Sequence, residues 1–117
     1  MSIEQVIERL DSIRRNNFSK EEKTAWIAEL EQRLRAELWQ RYFEVEDRFL
    51  RYPEDKDAQI YIETPFHKLY LLYLLAQMDF YKGNLSGYNV CVRAYNMELQ
   101  SYMSYLARSY RAIDREK

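Results

Sequence analysis

The run from Thr64 to Asn89, TPFHKLYLLYLLAQMDFYKGNLSGYN, leaves this chain the least freedom. From Leu69 to Ala76 every position is aliphatic or tyrosine, so a helix built there has no face that belongs wholly in water and must lie in the middle of a bundle. Thr64 is suited to cap such a helix. Pro65, with its fixed φ and no amide proton, suits the first turn, so the spacing predicts a helix beginning at Pro65. About ten apolar residues are too few to span a bilayer. Gly83, between Lys82 and Asn84, reads as the stop, because glycine enters the left-handed region without steric cost.

The flanking segments read as helices too. Ser2 with Gln5 has the spacing of a reciprocal cap, and Ile3, Val6, Ile7, Leu10 and Ile13 form one apolar stripe. Ser19 with Glu22 repeats that cap ahead of a longer helix from Lys20, whose stripe is Trp26, Ile27, Leu30, Leu34 and Leu38. On its outer side Glu29 with Arg33 and Glu31 with Arg35 are expected i,i+4 pairs, and its end falls between Trp39 and Arg48. After Gly83 a last helix carries Tyr88, Val92, Tyr95, Leu99, Tyr102, Leu106, Tyr110 and Ile113 at alternating steps of four and three. The expected core is Trp26, Ile27, Leu30, Leu34, Leu69, Tyr70, Tyr73, Leu74, Tyr95, Leu99 and Leu106.

Between Tyr42 and Thr64 two readings compete. Phe43, Val45 and Phe49 share one parity, as do Ile60 and Ile62, and Pro53 to Asp57 is a polar turn, which together fit a short β-hairpin. Alternatively the second helix runs to about Leu50 and a long loop continues to Pro65. The expectation is therefore one mainly α domain over 1–117, a small bundle of about four helices with an irregular loop or hairpin at 42–64. Two glycines and two prolines in 117 residues favour this over a sandwich, which needs more turns.

Eighteen basic against nineteen acidic residues leave no field that draws the chain to nucleic acid or to an acidic membrane. Cys91 and His67 are each the sole member of their type, so neither has an obvious nucleophile–base or metal-ligand partner. Packing roles are expected for both, and an exposed position or intrachain bond for Asp79. No phosphate loop, serine elbow or metal-spaced pair is present, so neither an enzyme nor a cofactor is expected. Met1 to Gln5 lacks a basic region followed by an apolar run, so no secretion signal is expected there and the chain should stay in the cytoplasm that made it.

The eleven tyrosines say more. A phenol buries area yet keeps a hydroxyl that wants a partner, which suits surfaces that are apolar but wetted. Between Gly83 and Ala107 the only charges are Arg93 and Glu98, so a second face of the last helix is uncharged and rich in Tyr and Met. That favours protein contact over free solvent. The acidic middle segment and the basic C-terminal end are two further candidate contact regions. Together they give Glu54, Asp55, Asp57, Tyr61, Tyr105, Arg108, Tyr110 and Arg111 as candidate contact residues.

The Pro65 entry, Leu69-Tyr70, Tyr73-Leu74, Ala76, Asp79-Phe80, the Gly83 turn, Tyr88 and Asn96, with Glu22 to Leu30 upstream, resemble the head-tail connector (adaptor) proteins of tailed phages and prophages. The chain departs from that pattern at His67-Lys68 and at Val90-Cys91-Val92. The resemblance implies a virion protein at the head-tail interface, assembled in the bacterial host cytoplasm. It would be a homo-oligomeric ring, dodecameric when docked and monomeric in isolation. Its partners would be the portal protein and a tail-side completion (stopper) protein, with packaged DNA passing through the lumen without sequence-specific binding and no membrane involved. In such a connector the acidic, irregular character of Tyr42 to Glu63 is the reason to expect that segment to reach a neighbouring subunit or the portal, and the return to net positive charge after an uncharged helix is the reason to expect Arg108 to Lys117 to dock on a partner. The alternative is a small phage-encoded helical regulator or host-protein-binding module that uses its last helix as a partner groove. A DNA-binding domain is a weaker third reading, because Asp11, Glu21 and Glu22 offset the cluster of Arg14, Arg15, Lys20 and Lys23.

Overall fold

In a computed structural model, which describes residues 1–62 and 64–113, the chain folds into four α-helices: α1 (Ile3–Ile13), α2 (Lys20–Glu37), α3 (Lys68–Tyr81) and α4 (Leu85–Ser109). A 3-10 turn at Trp39–Arg41 follows α2. Both serine caps form as full capping boxes, each serine side chain accepting from the backbone three residues on while Gln5 or Glu22 reaches back. α3 touches all three other helices, and α4 runs beside α3 alone among them. The all-round apolar sequence of α3 is the reason for its central place: Leu69, Tyr70, Leu71, Tyr73, Leu74, Ala76 and Met78 are all buried. Each such aliphatic side chain contributes about 1.5–3 kcal/mol of transfer free energy. From the other helices Ile3, Val6, Ile7, Leu10, Trp26, Ile27, Leu30, Leu34, Tyr95 and Leu106 complete the core, Leu99 packs half-buried against it, and Ile13 stays half exposed.

Three local expectations need correction. α3 begins at Lys68, not at Pro65; Thr64 to His67 form a turn after a cis Thr64-Pro65 peptide, with Leu69 N–H donating to the Phe66 carbonyl. Phe66 swings onto α4, its ring centroid 5.3 Å from that of Tyr102 and 5.1 Å from that of Tyr105, so tertiary packing outweighs the local cap signal. Nor does segment 42–62 pair with itself. Among the described residues there is no strand, only a bridge between Ser2 and Gln59. The loop crosses the start of α1 instead: the Ile3 and Glu4 amides donate to the Ala58 and Lys56 carbonyls at 2.9 Å each, which satisfies donors every helix N-terminus leaves open.

Third, Glu31 is not on the outer side of α2. It is buried beneath the loop and pairs with Arg48, while Arg35 Nε donates to the Val45 carbonyl at 2.9 Å and Glu29 accepts from the Tyr73 hydroxyl at 2.8 Å. Side chains of α2 thus hold the loop where i,i+4 pairs were expected. Leu50, Ile60 and Ile62 are buried, so the loop is part of the core, while Phe49, expected to share a strand face with Phe43 and Val45, is 75 % exposed.

At the opposite end of α3, Asp79 makes an intrachain bond. Its buried carboxylate accepts from Arg14 Nη1 at 2.7 Å, tying the end of α1 to the α3–α4 corner. Gly83 turns that corner with φ of 73°, and Asn84 caps α4 by accepting from the Gly87 amide.

Candidate functional site

Where the loop returns past the last turns of α4, the bundle end opens into an aromatic cleft of about 580 Å³. Trp39 from the 3-10 turn, Phe43 to Glu46 from the outgoing loop, Tyr61 and Thr64 to Phe66 from its return, and Tyr102, Tyr105, Leu106 and Tyr110 from α4 and its cap line it. The rings form a connected set. Phe43 meets Tyr110 edge-on at 4.7 Å, Tyr105 lies 6.3 Å from Tyr110, and Trp39 meets Tyr61 edge-on at 5.6 Å. Such T-shaped contacts align the positive ring edge with the negative face.

Hydrogen bonds fix the floor. Trp39 Nε1 donates to the Tyr102 hydroxyl at 2.8 Å, and burial pushes the Tyr102 phenol up to about 12. Tyr61 is held from below by a polar node. Arg48 Nε and Nη2 donate to the two oxygens of Glu31 at 2.9 Å each, and Nη2 also reaches the Gln59 carbonyl at 2.8 Å. The same guanidinium stacks 3.9 Å from the centroid of the Tyr61 ring. Tyr70 donates its hydroxyl proton to Glu31 at 2.6 Å and accepts from the Tyr61 amide. Burial, then the Glu31 charge, hold the Tyr70 phenol far above its usual range. Burial works against the Arg48 charge too, but bonding and attraction to Glu31 outweigh it and its pKa rises.

The cleft gathers three of the candidate contact residues, Tyr61, Tyr105 and Tyr110, from positions distant in sequence. Arg108 lies outside it, in a shallow groove with Phe66, Met97, Gln100, Ser101 and Ser104, and Arg111 is exposed just beyond. Glu54, Asp55 and Asp57 sit elsewhere, in the turn beside the start of α1, where Asp55 accepts from the Arg51 amide at 2.7 Å and shapes its own loop. Residues 114–117 and Glu63, parts of the two expected docking segments, fall outside the described residues. Trp39, Phe43 and Phe66 are not among the contact residues read from the sequence; the aromatic density at Trp39, Tyr42 and Phe43 is the available signal, but it falls where helix end and strand cannot be told apart.

Two other groups have structural surroundings. Cys91 is buried with Sγ 3.5 Å from Asp79, and burial, then that carboxylate, raise its thiol pKa, the reverse of what a nucleophile needs. His67 Nδ1 is buried at the cap of α3 without a hydrogen-bond partner. Among the described residues no group of three potential ligands is placed to hold a metal ion, and no helix is long and apolar enough to cross a membrane. No protein-family model, curated protein or solved structure matches the chain.

Proposed function

We propose that this chain is a structural adaptor that joins the portal of a DNA-filled phage capsid to the tail, as one subunit of a ring. The observation that carries the reading, beside the sequence resemblance, is the outer face of α4. Over 25 residues its exposed positions include Leu85, Val90, Met97 and Met103 among Ser, Asn and Gln, the charges at those positions are Arg93 and Arg108, and Glu98 is half-buried. An isolated surface helix ordinarily carries many charges of both signs on its solvent side. Exposed apolar residues set among uncharged polar ones instead suit contact with another protein.

A head-to-tail ring joins two different faces of each subunit. The exposed side of α2, with Glu21, Glu22, Glu29 and Glu37 against Lys20 and Arg33, complements the outer face of α4, where the exposed charges are Arg93 and Arg108 and Glu98 is half-buried. We assign the α2–α4 pair of faces to the subunit contact, and the aromatic cleft at the bundle end to a different protein. No catalytic residue is required, and near-neutral net charge suits a channel that DNA must leave again.

Deleting the reading frame from the phage or lysogen that encodes it, and viewing induced particles by negative-stain electron microscopy, tests the proposal. DNA-filled or leaked heads without joined tails are expected, and complementation with Val90→Arg/Met97→Arg should leave them unjoined although that chain stays folded. Normal infectious virions would overturn the reading and favour the helical regulator, with a host protein on α4.

A further inference from the structure

We infer that neighbouring copies of this chain stand side by side along the ring axis, α4 of one parallel to α2 of the next, and that Arg93 pairs with Glu29 across the contact. The inference rests on the ring reading above and deepens it by giving the contact a direction and a register.

Contacts within one chain supply the register. Tyr81 at the end of α3 stacks on Trp26 in the first half of α2, and Tyr70 near the start of α3 donates to Glu31 farther along α2, so these two helices run in opposite directions. The Gly83 corner turns α4 back along α3, where the Tyr95 ring lies 6.0 Å from that of Tyr73 and the Tyr102 ring 5.3 Å from that of Phe66. α2 and α4 therefore run the same way, on different sides of α3, without touching each other. Two levels tie them together. Tyr73 meets both Glu29 and Tyr95, and the Trp39 indole just beyond α2 meets the Tyr102 hydroxyl. Arg93 precedes Tyr95 by two residues, about 3 Å of helix, so it stands level with Glu29.

A closed ring has no rise from one subunit to the next. With the bundles upright, each outward side chain of α4 faces residues of its own level on the neighbour's α2, and the two ends of the bundle stay open to other proteins. Charge and shape match at that alignment. Arg93 is exposed on the side of α4 away from the buried Tyr95 and Tyr102, and among the described residues it makes no hydrogen bond or ion pair. Glu29 is exposed on α2 and uses one oxygen, Oε1, on the Tyr73 hydroxyl. Arg33, the α2 cation that would oppose Arg93, lies a turn farther on, about 6 Å along the helix, and sits over the Tyr73 ring. The same alignment sets the exposed Val90 and Met97 beside Ala25 and Gln32, so the apolar side chains of α4 meet short or uncharged ones.

The test uses the full chain in the phage or lysogen that encodes it. Arg93→Glu and Glu29→Arg, each complementing the deletion, should lower infectious titre about tenfold or more, because each repeats a like-charge contact around the ring. The double swap should recover most of that loss, and circular dichroism melts of the three purified chains check that each is folded. Independently, Arg93→Cys/Glu29→Cys in an induced lysate, oxidised with copper phenanthroline and blotted for this chain, should give a ladder of covalent multimers. Neither single cysteine variant should give it, nor should Arg93→Cys/Glu21→Cys, which is out of register by about two turns. Where a charge variant does not fold, the ladder alone decides. Folded single variants that join tails as the wild type does, a double swap no better than the singles, or crosslinking by the out-of-register pair instead would each overturn the inference. Tail-less particles on deletion with neither rescue nor ladder would reject the register and leave the adaptor reading standing; a ladder with normal virions on deletion would keep the helix contact and reject the adaptor reading.

Discussion

Arg48 grips Glu31 through two parallel hydrogen bonds of 2.9 Å, and this contact, with the bond from Arg35 to the Val45 carbonyl, ties the irregular loop to α2. The Glu31 side chain is 4 % exposed and that of Arg48 23 %, so the pair lies largely away from water. Bidentate geometry and the Tyr70 hydroxyl satisfy a charge that would otherwise be costly to bury. The guanidinium then serves as the platform on which Tyr61 forms a wall of the cleft.

Arg48→Met should therefore lower stability by about 3–5 kcal/mol, because it leaves Glu31 buried and unpaired. Adding Glu31→Gln, which removes the charge but can still accept from Tyr70, should restore at least half of the loss. Urea denaturation of both variants checks this, and a single variant as stable as the wild type would show the pair to be incidental.

The two glycines at the α3–α4 corner should respond differently to alanine. At Gly83 no atom lies within 4 Å of an added Cβ, but φ is 73°, so the left-handed backbone should cost about 1–2 kcal/mol. At Gly87 the backbone is helical, and propensity alone would make alanine better by up to about 1 kcal/mol. An added Cβ there would lie 2.6 Å from Asn84 Nδ2 and 2.8 Å from Asp79 Oδ2, disturbing both the α4 cap and the buried carboxylate. Gly87→Ala should accordingly destabilise by about 1–3 kcal/mol. Thermal melts that show Gly87→Ala stabilised would refute the crowding.

Alkaline pH should weaken the fold from one side of a defined window. Tyr102 is held up to about 12, and burial also raises Tyr70, Tyr73 and Tyr95, whereas unfolded tyrosines titrate near 10. Above pH 10 the unfolded chain loses these protons first, so stability is fully present below pH 10 and falls as pH rises towards 12. Urea midpoints at pH 8, 10 and 11 read this directly. Tyr102→Phe should flatten part of the fall while costing about 1–3 kcal/mol at neutral pH, since it strands the Trp39 indole donor.

Cys91 should be slow to alkylate in the folded chain. Burial and the Asp79 carboxylate both keep it a thiol, so iodoacetamide at pH 8 should label it far more slowly than in 6 M guanidinium, where it is a free cysteine with pKa of about 8.5. Labelling at the same rate with and without denaturant would contradict its burial at the α3–α4 contact.

Most of the bundle was legible because its cues are local or periodic. Ser2 with Gln5 and Ser19 with Glu22 mark helix starts within four residues, Gly83 marks a stop, and the three- and four-residue steps of Ile3, Val6, Leu10 and of Ile27, Leu30, Leu34 mark buried faces. The middle segment was not legible by the same means. Its parity pattern suggests strands, yet Leu50, Ile60 and Ile62 are buried in the common core with no strand ladder among the described residues. Three of eight candidate contact residues reached the cleft, because tyrosine richness shows which residues suit a wetted apolar surface but not which of them face one another.

Residue order alone settles that this chain is helical, that α3 must be central and where α1 and α2 begin, since capping and amphipathic period act over at most two turns of helix. Contacts between distant positions settle the rest. Glu31 and Glu29 read identically as outward partners of nearby arginines, and one is buried beneath Arg48 while the other meets Tyr73 from α3. The cleft depends on Trp39, Tyr61, Phe66 and Tyr105 arriving from three segments. The physical reason is that a buried charge or an aromatic edge is satisfied by any partner the fold brings within reach, and sequence spacing carries no record of which partner that is.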